Sequence, residues 1–330
     1  MTTWNHPIVD GLYCAVMTRE QMQRTLAGGV RAANLTSAMP GDDMAGTLGW
    51  ISASLKAVAD NSDLARIVTS VEGIRAAVDK GLLSIILGTQ DSAFIDHDVE
   101  LLRALQRLGV RVMQPVYNEQ NRFGSGALVQ DPGGLTDAGR QWVTLMNELR
   151  MLIDVSHSSY PTARDVITAS KRPVIFSHSN ARALCDSPRN IPDDLAQAAA
   201  ATGGTVGITL WPPLLKIEDR PGVEDFAAHV EHMVNLVGIE HVAFGSDLSE
   251  GTKTRQQWLD LYGPKPVWPT VTGILGSWFT YEDRATEGCE SMADIGRLQL
   301  ALSRRSFSDD AIEKIMSSNL LRVYSEVWGR

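Results

Sequence analysis

Two histidines, one aspartate and one arginine carry most of the chemistry that can be read from this chain. His157 closes the segment Ile153-Asp154-Val155-Ser156-His157, and His178 closes Val174-Ile175-Phe176-Ser177-His178. Each follows a short apolar run of strand character, and the stretch between them has the length and pattern of one helix. In a parallel α/β barrel the carboxyl ends of the strands converge on one mouth, where catalytic groups collect. Asp247 stands just past a later apolar run, His241–Gly245. Two imidazoles and a carboxylate with open positions suit zinc or a similar ion that activates water. The alternative is that Asp247 only orients a neutral imidazole and no metal is held. Arg189 lies in Asp186-Ser187-Pro188-Arg189-Asn190-Ile191-Pro192, a Pro-flanked loop after the second histidine. A guanidinium held there suits bidentate pairing with a substrate carboxylate, although loop arginines are more often merely solvated. Asp154, inside its strand, reads as a buried network residue. His6, His97, His229, His232 and His241 fall on helices or strand starts, the wrong end of a barrel, and read as structural. Cys185 and Cys289 lack metal-ligand spacing.

The elements that must position these groups alternate along the chain. Strands are expected at 8–12, 30–36, 82–87, 110–116, two runs ending at His157 and His178, 205–210 and 241–245. Between them lie helices, including 44–60, 62–80, 136–149 and 223–237, several introduced by Ser or Thr in capping position. Eight strands with interposed helices is the count of a (β/α)8 barrel, preferred over a doubly wound sheet that alternates in the same way. Residues 1–330 then form one barrel domain, with an insertion after the eighth strand whose Gly263–Trp278 piece would roof the mouth. The last helix, 309–328, is expected to close the wall. The strand tips nominate Leu12, Tyr13, Cys14, Thr36, Gln90, Tyr117, Asn118 and Trp211 beside the four residues above.

A formal charge of −9 without a basic run argues against a nucleic-acid partner. Three widely spaced cysteines suit a reducing compartment. No apolar run reaches membrane-spanning length and no leader is visible, so a cytoplasmic protein is expected.

The chain resembles the membrane (renal) dipeptidase family of zinc peptidases, peptidase family M19. The resemblance rests on Val9-Asp10-Gly11, Tyr117-Asn118-Glu119-Gln120-Asn121, Gly134-Leu135-Thr136-Asp137-Ala138-Gly139-Arg140, Ile153-Asp154-Val155-Ser156-His157, Phe176-Ser177-His178-Ser179, Arg189-Asn190-Ile191-Pro192-Asp193-Asp194 and Gly245-Ser246-Asp247. It implies a barrel of the metallo-dependent hydrolase type, two zinc ions in the mouth, dipeptide hydrolysis and a homodimer. By it, His157 and His178 match two ligands of one zinc, Arg189 the holder of the substrate carboxylate, and Asp247 the manager of the attacking water's proton. Tyr117 stands where some members have a substrate-side histidine, next to Asn118.

The departures are as specific. The family's first strand ends Asp-Gly-His-x-Asp, whereas this chain reads Asp10-Gly11-Leu12-Tyr13-Cys14. Gln90 takes the place of the bridging glutamate. Two divalent ions about 4 Å apart need anionic bridging ligands, which Leu12 and Gln90 cannot supply. The expectation is therefore zero or one zinc, on His157 and His178 with Asp247 as a further candidate and Cys14 as a soft alternative. The function expected is a dipeptidase-like hydrolase of a small carboxylate-bearing amide or dipeptide. The alternative is a non-hydrolytic or metal-free descendant that binds or transforms a small carboxylated molecule.

Overall fold

The computed structural model describes residues 7–38, 40–250, 253–263, 266 and 269–329. His6 and part of the 263–278 piece therefore lie outside the described residues. The strands are β1 (Ile8–Tyr13), β2 (Val30–Thr36), β3 (Ala65–Ile67), β4 (Leu83–Thr89), β5 (Val110–Met113), β6 (Leu152–Asp154), β7 (Val174–Ile175), β8 (Val206–Ile208) and β9 (Val242–Phe244). All the ladders between them are parallel, in the order β1-β2-β4-β5-β6-β7, with β8 paired to β9. A bridge from Phe176 to Val206 joins β7 to β8. The amide of Asp247 donates to Leu12 O at 3.0 Å, and that of Cys14 to Leu248 O at 3.1 Å. The last strand thus meets the first, and eight strands close a barrel, as expected.

Helices alternate with the strands: α1 (Arg19–Ala27), α2 (Met44–Asp60), α3 (Val71–Val78), α4 (Leu101–Arg107), α5 (Asp137–Glu148), α6 (Tyr160–Ala169), α7 (Asp193–Ala201), α8 (Pro212–Leu215) and α9 (Val223–Val237). After β9 come α10 (Arg255–Tyr262), α11 (Pro269–Thr272), α12 (Gly296–Arg304), α13 (Asp309–Glu313) and α14 (Asn319–Trp328). Thr18, Asp43, Ser70, Thr136 and Ser159 each accept the backbone N–H three residues on, which fixes where the chain leaves a strand tip and enters a helix. Among the described residues no helix is long and apolar enough to cross a membrane.

Two expectations need correction. The stretch 62–80 is not one helix: Ala65–Ile67 forms β3 on the amino-terminal half of β4, and only Val71–Val78 is helical. The register explains it, because β5 pairs with β4 only from Leu87 onward and leaves an edge for a short strand. The final stretch is also interrupted, by a π-helical turn at Lys314–Ser318. Beyond it, α14 brings Leu320, Val323, Tyr324 and Val327 against Val9, Ala32, Ile86, Val112, Leu152, Ile175 and Ala243. Those residues come from seven of the eight ring strands, so α14 stoppers the amino-terminal end of the barrel rather than extending its wall.

Close packing on the axis relies on glycine. A Cβ at Gly207 would stand 2.1 Å from Ser177 O, and one at Gly245 2.0 Å from the same atom. Gly49, on the outside of α2, has nothing within 4 Å of such a Cβ. Gly207→Ala and Gly245→Ala should each destabilise the fold by about 1–3 kcal/mol or more, because backbone must move. Gly49→Ala should instead be neutral or stabilise by up to about 1 kcal/mol through helix propensity. Urea unfolding midpoints of the three variants check the contrast.

Candidate active site

Two buried aspartates hold the strand tips that carry the chemistry. Asp10 Oδ1 accepts the amides of Ser246 at 2.7 Å and Leu12 at 3.1 Å, while Oδ2 accepts Ser246 Oγ at 2.6 Å. Asp154 repeats the arrangement between β6 and β7. Its Oδ1 accepts the amides of Ser156 and Ser177, both at 3.0 Å, and its Oδ2 accepts Ser177 Oγ at 2.5 Å. Burial raises both carboxyls, Asp10 to about 7, with the serine bonds opposing. Ser246 leads directly into Asp247, and Ser177 into His178. The network role expected of Asp154 is borne out, and Asp10 is its counterpart at the barrel seam.

Above these clamps opens a cavity of about 420 Å³, lined by Cys14, Gln90, Tyr117, Asn118, His157, Arg189 and Asp247 among others. His157 Nδ1 lies 2.7 Å from Asn118 Oδ1, and Tyr117 stacks on its ring with centroids 4.0 Å apart. His178 is fully buried behind it, the two Nε2 atoms 2.9 Å apart, with His178 Nδ1 2.7 Å from Ser177 Oγ. Arg189 is 4% exposed. It donates through Nη1 to Ser156 O and through Nη2 to His157 Nε2, the latter at 3.1 Å. Asp247, in the left-handed backbone region with φ 52°, accepts from Cys14 Sγ at 3.4 Å. Gln90 Nε2 reaches Cys14 Sγ at 3.2 Å and Thr36 Oγ1 at 2.9 Å, and its Oε1 lies 3.0 Å from His157 Nε2.

Electrostatically the site is lean in negative charge. Burial, then Arg189, pushes both imidazoles well below the usual histidine range, so they are neutral at pH 7. Burial lowers Arg189 to about 10, which leaves it cationic. Burial raises the Cys14 thiol, with Asp247 adding to the effect, so it stays protonated. Asp247 is raised to about 6 by burial against the pull of Arg189.

These residues do not fit a pair of metal ions. Gln90 and Leu12 are neutral, Leu12 lies outside the cavity wall, and the Cys14 thiol keeps its proton. A guanidinium only donates, so its bond to His157 Nε2 uses the lone pair a metal would need. Among the described residues no three His, Cys, Asp or Glu side chains gather as a metal-holding group.

Of the residues singled out from the sequence, Asp247, Arg189, Tyr117, Asn118, His157, Cys14, Gln90, Thr36 and Trp211 share this cavity. Leu12 and the fully buried His178 do not line it, and Tyr13 turns outward to bond Gln21 and Thr25 of α1, because β1 shifts register between Asp10 and Tyr13. His229, read as structural, is buried between the amide of Ala181 and Leu215 O. Val271 and Ile274, from the piece expected to roof the mouth, line the cavity, as do Val16 and Trp50 on the rim and Leu261 and Tyr262 of α10, which no strand tip nominates. The available signal was an apolar pair, Leu48 and Trp50, on an exposed stretch of α2.

A closed parallel barrel with arginine, aspartate and imidazole gathered at the strands' carboxyl ends defines an α/β-barrel enzyme-type scaffold. The chain belongs to the membrane dipeptidase family (peptidase family M19), whose model matches residues 5–262. It is similar to an amidohydrolase from Pseudomonas aeruginosa, 30% identical with a TM-score of 0.88 over 99% of this chain and 98% of that one. A metallo peptidase from Rhodobacter sphaeroides, liganded with a phosphinate mimic of the dipeptide L-Ala-D-Ala, shares the fold at 18% identity, TM-score 0.80, over 98% of this chain and 99% of that one. Dipeptidase aclJ of Aspergillus oryzae is 36% identical over 180 residues, 52% of this chain and 43% of its own length. The chain thus spans under half of that curated relative.

The raised carboxyls give a pH dependence whose sign is opposite to that of a salt-bridged aspartate. Asp10 and Asp247 have folded values of about 7 and about 6, above the ordinary aspartate value of 3.8. Their protonated forms favour folding, and that contribution is fully present below about pH 4 and lost as pH rises through 6–7. Asp247→Asn should therefore stabilise the fold at pH 8, on the order of 2 kcal/mol, with the gain vanishing near pH 4. Denaturant titrations at the two pH values check it.

Proposed function

We propose that this protein is a dipeptidase-type hydrolase of a small carboxylate-bearing amide or dipeptide, working with at most one metal ion. The observation that carries the reading is Arg189. A guanidinium is buried in the wall of the cavity, and among the described residues it forms no ion pair with a carboxylate. A buried cation is costly unless an anion meets it, and the open side of the cavity is where a ligand carboxylate would do so.

In this reading Arg189 binds and orients the substrate through its carboxylate. Asp247, with its value near 6, takes a proton from the attacking water and passes it to the departing amine. Tyr117 and Asn118 fix the ring of His157 and border the bound ligand. A single ion on His157 and His178 is the most these donors take, it would require the Arg189 bond to His157 Nε2 to give way, and no step here depends on it. The same reading treats residues 1–330 as one barrel domain, working as a cytoplasmic homodimer on small molecules rather than on nucleic acid or membrane.

A second reading, a metal-free or non-hydrolytic descendant, is favoured by one specific contact, the Arg189 bond to His157 Nε2. Elemental analysis of protein purified without chelator, with a dipeptide panel assayed before and after metal addition, separates the two. Turnover with no more than one equivalent of zinc, manganese or iron supports the hydrolase. No metal and no turnover under any condition supports the descendant. Under the hydrolase reading, Asp247→Asn should lower kcat about 10²–10⁴-fold with KM little changed. Arg189→Met should weaken carboxylate-bearing substrates by roughly 2–5 kcal/mol and leave their amides less affected. Steady-state kinetics on matched acid and amide substrates read both.

A further inference from the structure

We propose that the cavity accepts an amide with two unlike ends, a carboxylate at Arg189 and a bulky apolar acyl group resting on Val16 and Trp50. This rests on the reading of Arg189 given above and names the substrate class for it.

The ring order supplies the geometry. Arg189 follows β7, whereas Val16 follows β1 and Trp50 stands on α2, after β2. In the order β1-β2-β4-β5-β6-β7-β8-β9, β7 and β2 are four places apart in either direction. The cation and the two apolar side chains therefore face each other across the mouth while lining one cavity. Asp247, after β9, stands between them on the seam side. A ligand anchored by its carboxylate at Arg189 would carry its amide toward Asp247 and its far end to the β1–β2 rim.

Ala38 and Pro40 add apolar lining after β2, and Leu261, Val271 and Ile274 add it from α10 and the α11 region, beside the polar Ser249, Lys253, Gln257 and Asp260. Val16 is 51% exposed and Trp50 39%. Of the seven large hydrophobic side chains exposed among the described residues, these two border this single cavity, and Leu48, at 41%, is two residues from Trp50. Exposed hydrophobics scattered singly need no explanation, but ones collected at a pocket mouth mark a binding surface. A tryptophan supplies a large apolar face at little entropic cost. A small acyl group such as acetyl would leave this surface wet.

The test is calorimetric binding to the full chain of N-acetylglycine and N-phenylacetylglycine, which share the carboxylate and the amide and differ only in the far end. Burial of the phenyl group should make N-phenylacetylglycine at least about tenfold tighter. Trp50→Ala and, separately, Val16→Ser should shrink that ratio several-fold while leaving N-acetylglycine affinity within about twofold. Equal affinities in the unaltered protein, or a ratio untouched by both substitutions, would overturn the proposal. Amine release from either compound is followed in parallel. Turnover without preference for the phenyl compound overturns the apolar subsite and leaves the hydrolase standing, whereas a strong, Trp50-dependent preference without turnover does the reverse.

Discussion

Everything functional in this molecule hangs on two carboxylates that water cannot reach. Asp10, within β1, and Asp154, at the end of β6, each accept the amide two residues on and capture a serine of an adjacent strand tip. A buried carboxylate is unfavourable unless several donors meet it. Here the donors are the backbone and hydroxyl groups whose positions define the mouth. Ser246 is drawn to Asp10 and Ser177 to Asp154, so the residues that follow, Asp247 and His178, inherit fixed places. The raised values of both aspartates show that the donors do not fully offset burial. The barrel thus gives up some stability at neutral pH to keep the rim in register, a trade common where a site must be pre-organised.

With the tips held, the identity of a few side chains decides the electrostatics above them. Leu12, Cys14 and Gln90 bring no negative charge, and Gln90 Nε2 ties Cys14 and Thr36 into one polar layer. Among the described residues the Arg189 guanidinium has no carboxylate in contact and leans on a carbonyl and an imidazole instead. Its neighbourhood favours an incoming anion more strongly than it favours an incoming cation. Asp247 feels both burial and that guanidinium, and the balance leaves it near 6, a value suited to moving a proton close to neutrality.

The sequence made much of this legible because the signals were local. The bounds of α2 and α9 follow from apolar spacing and flanking breakers, and the gathering of His157, Arg189 and Asp247 follows from where parallel strands end. What stayed hidden was set by distant pairing. The three residues of β3, with an arginine at their centre, become a strand only because β5 leaves half of β4's edge free. The π-helical turn before α14, and α14's place as the stopper of the barrel, depend on the shape of the floor it fills. Asp10 looked like part of a motif rather than a clamp, because its serine partner is 236 residues away. Tyr13 alternates as a strand residue should, but the register shift sends its ring to α1.

The roof follows a different physical logic from the barrel beneath it. In α10 Trp258 packs on Phe279 and Tyr262, and Trp211, from the loop after β8, meets Phe279 edge-on, so the roof is pinned mainly by aromatic contacts. Thr270 at the start of α11 also reaches Glu119 in the loop after β5, at 3.1 Å. Such contacts constrain where the roof lies while leaving its lower surface free to vary in shape and polarity. Arg189 and Asp247 stand on tips fixed by buried hydrogen bonds, where, in the roles proposed for them, a small displacement would cost binding or proton transfer. Val16, Trp50 and the descending residues of the roof only have to present apolar area. Under the proposed function, the division places the chemistry of the amide in the rigid part and the choice of acyl group in the part least constrained by the fold.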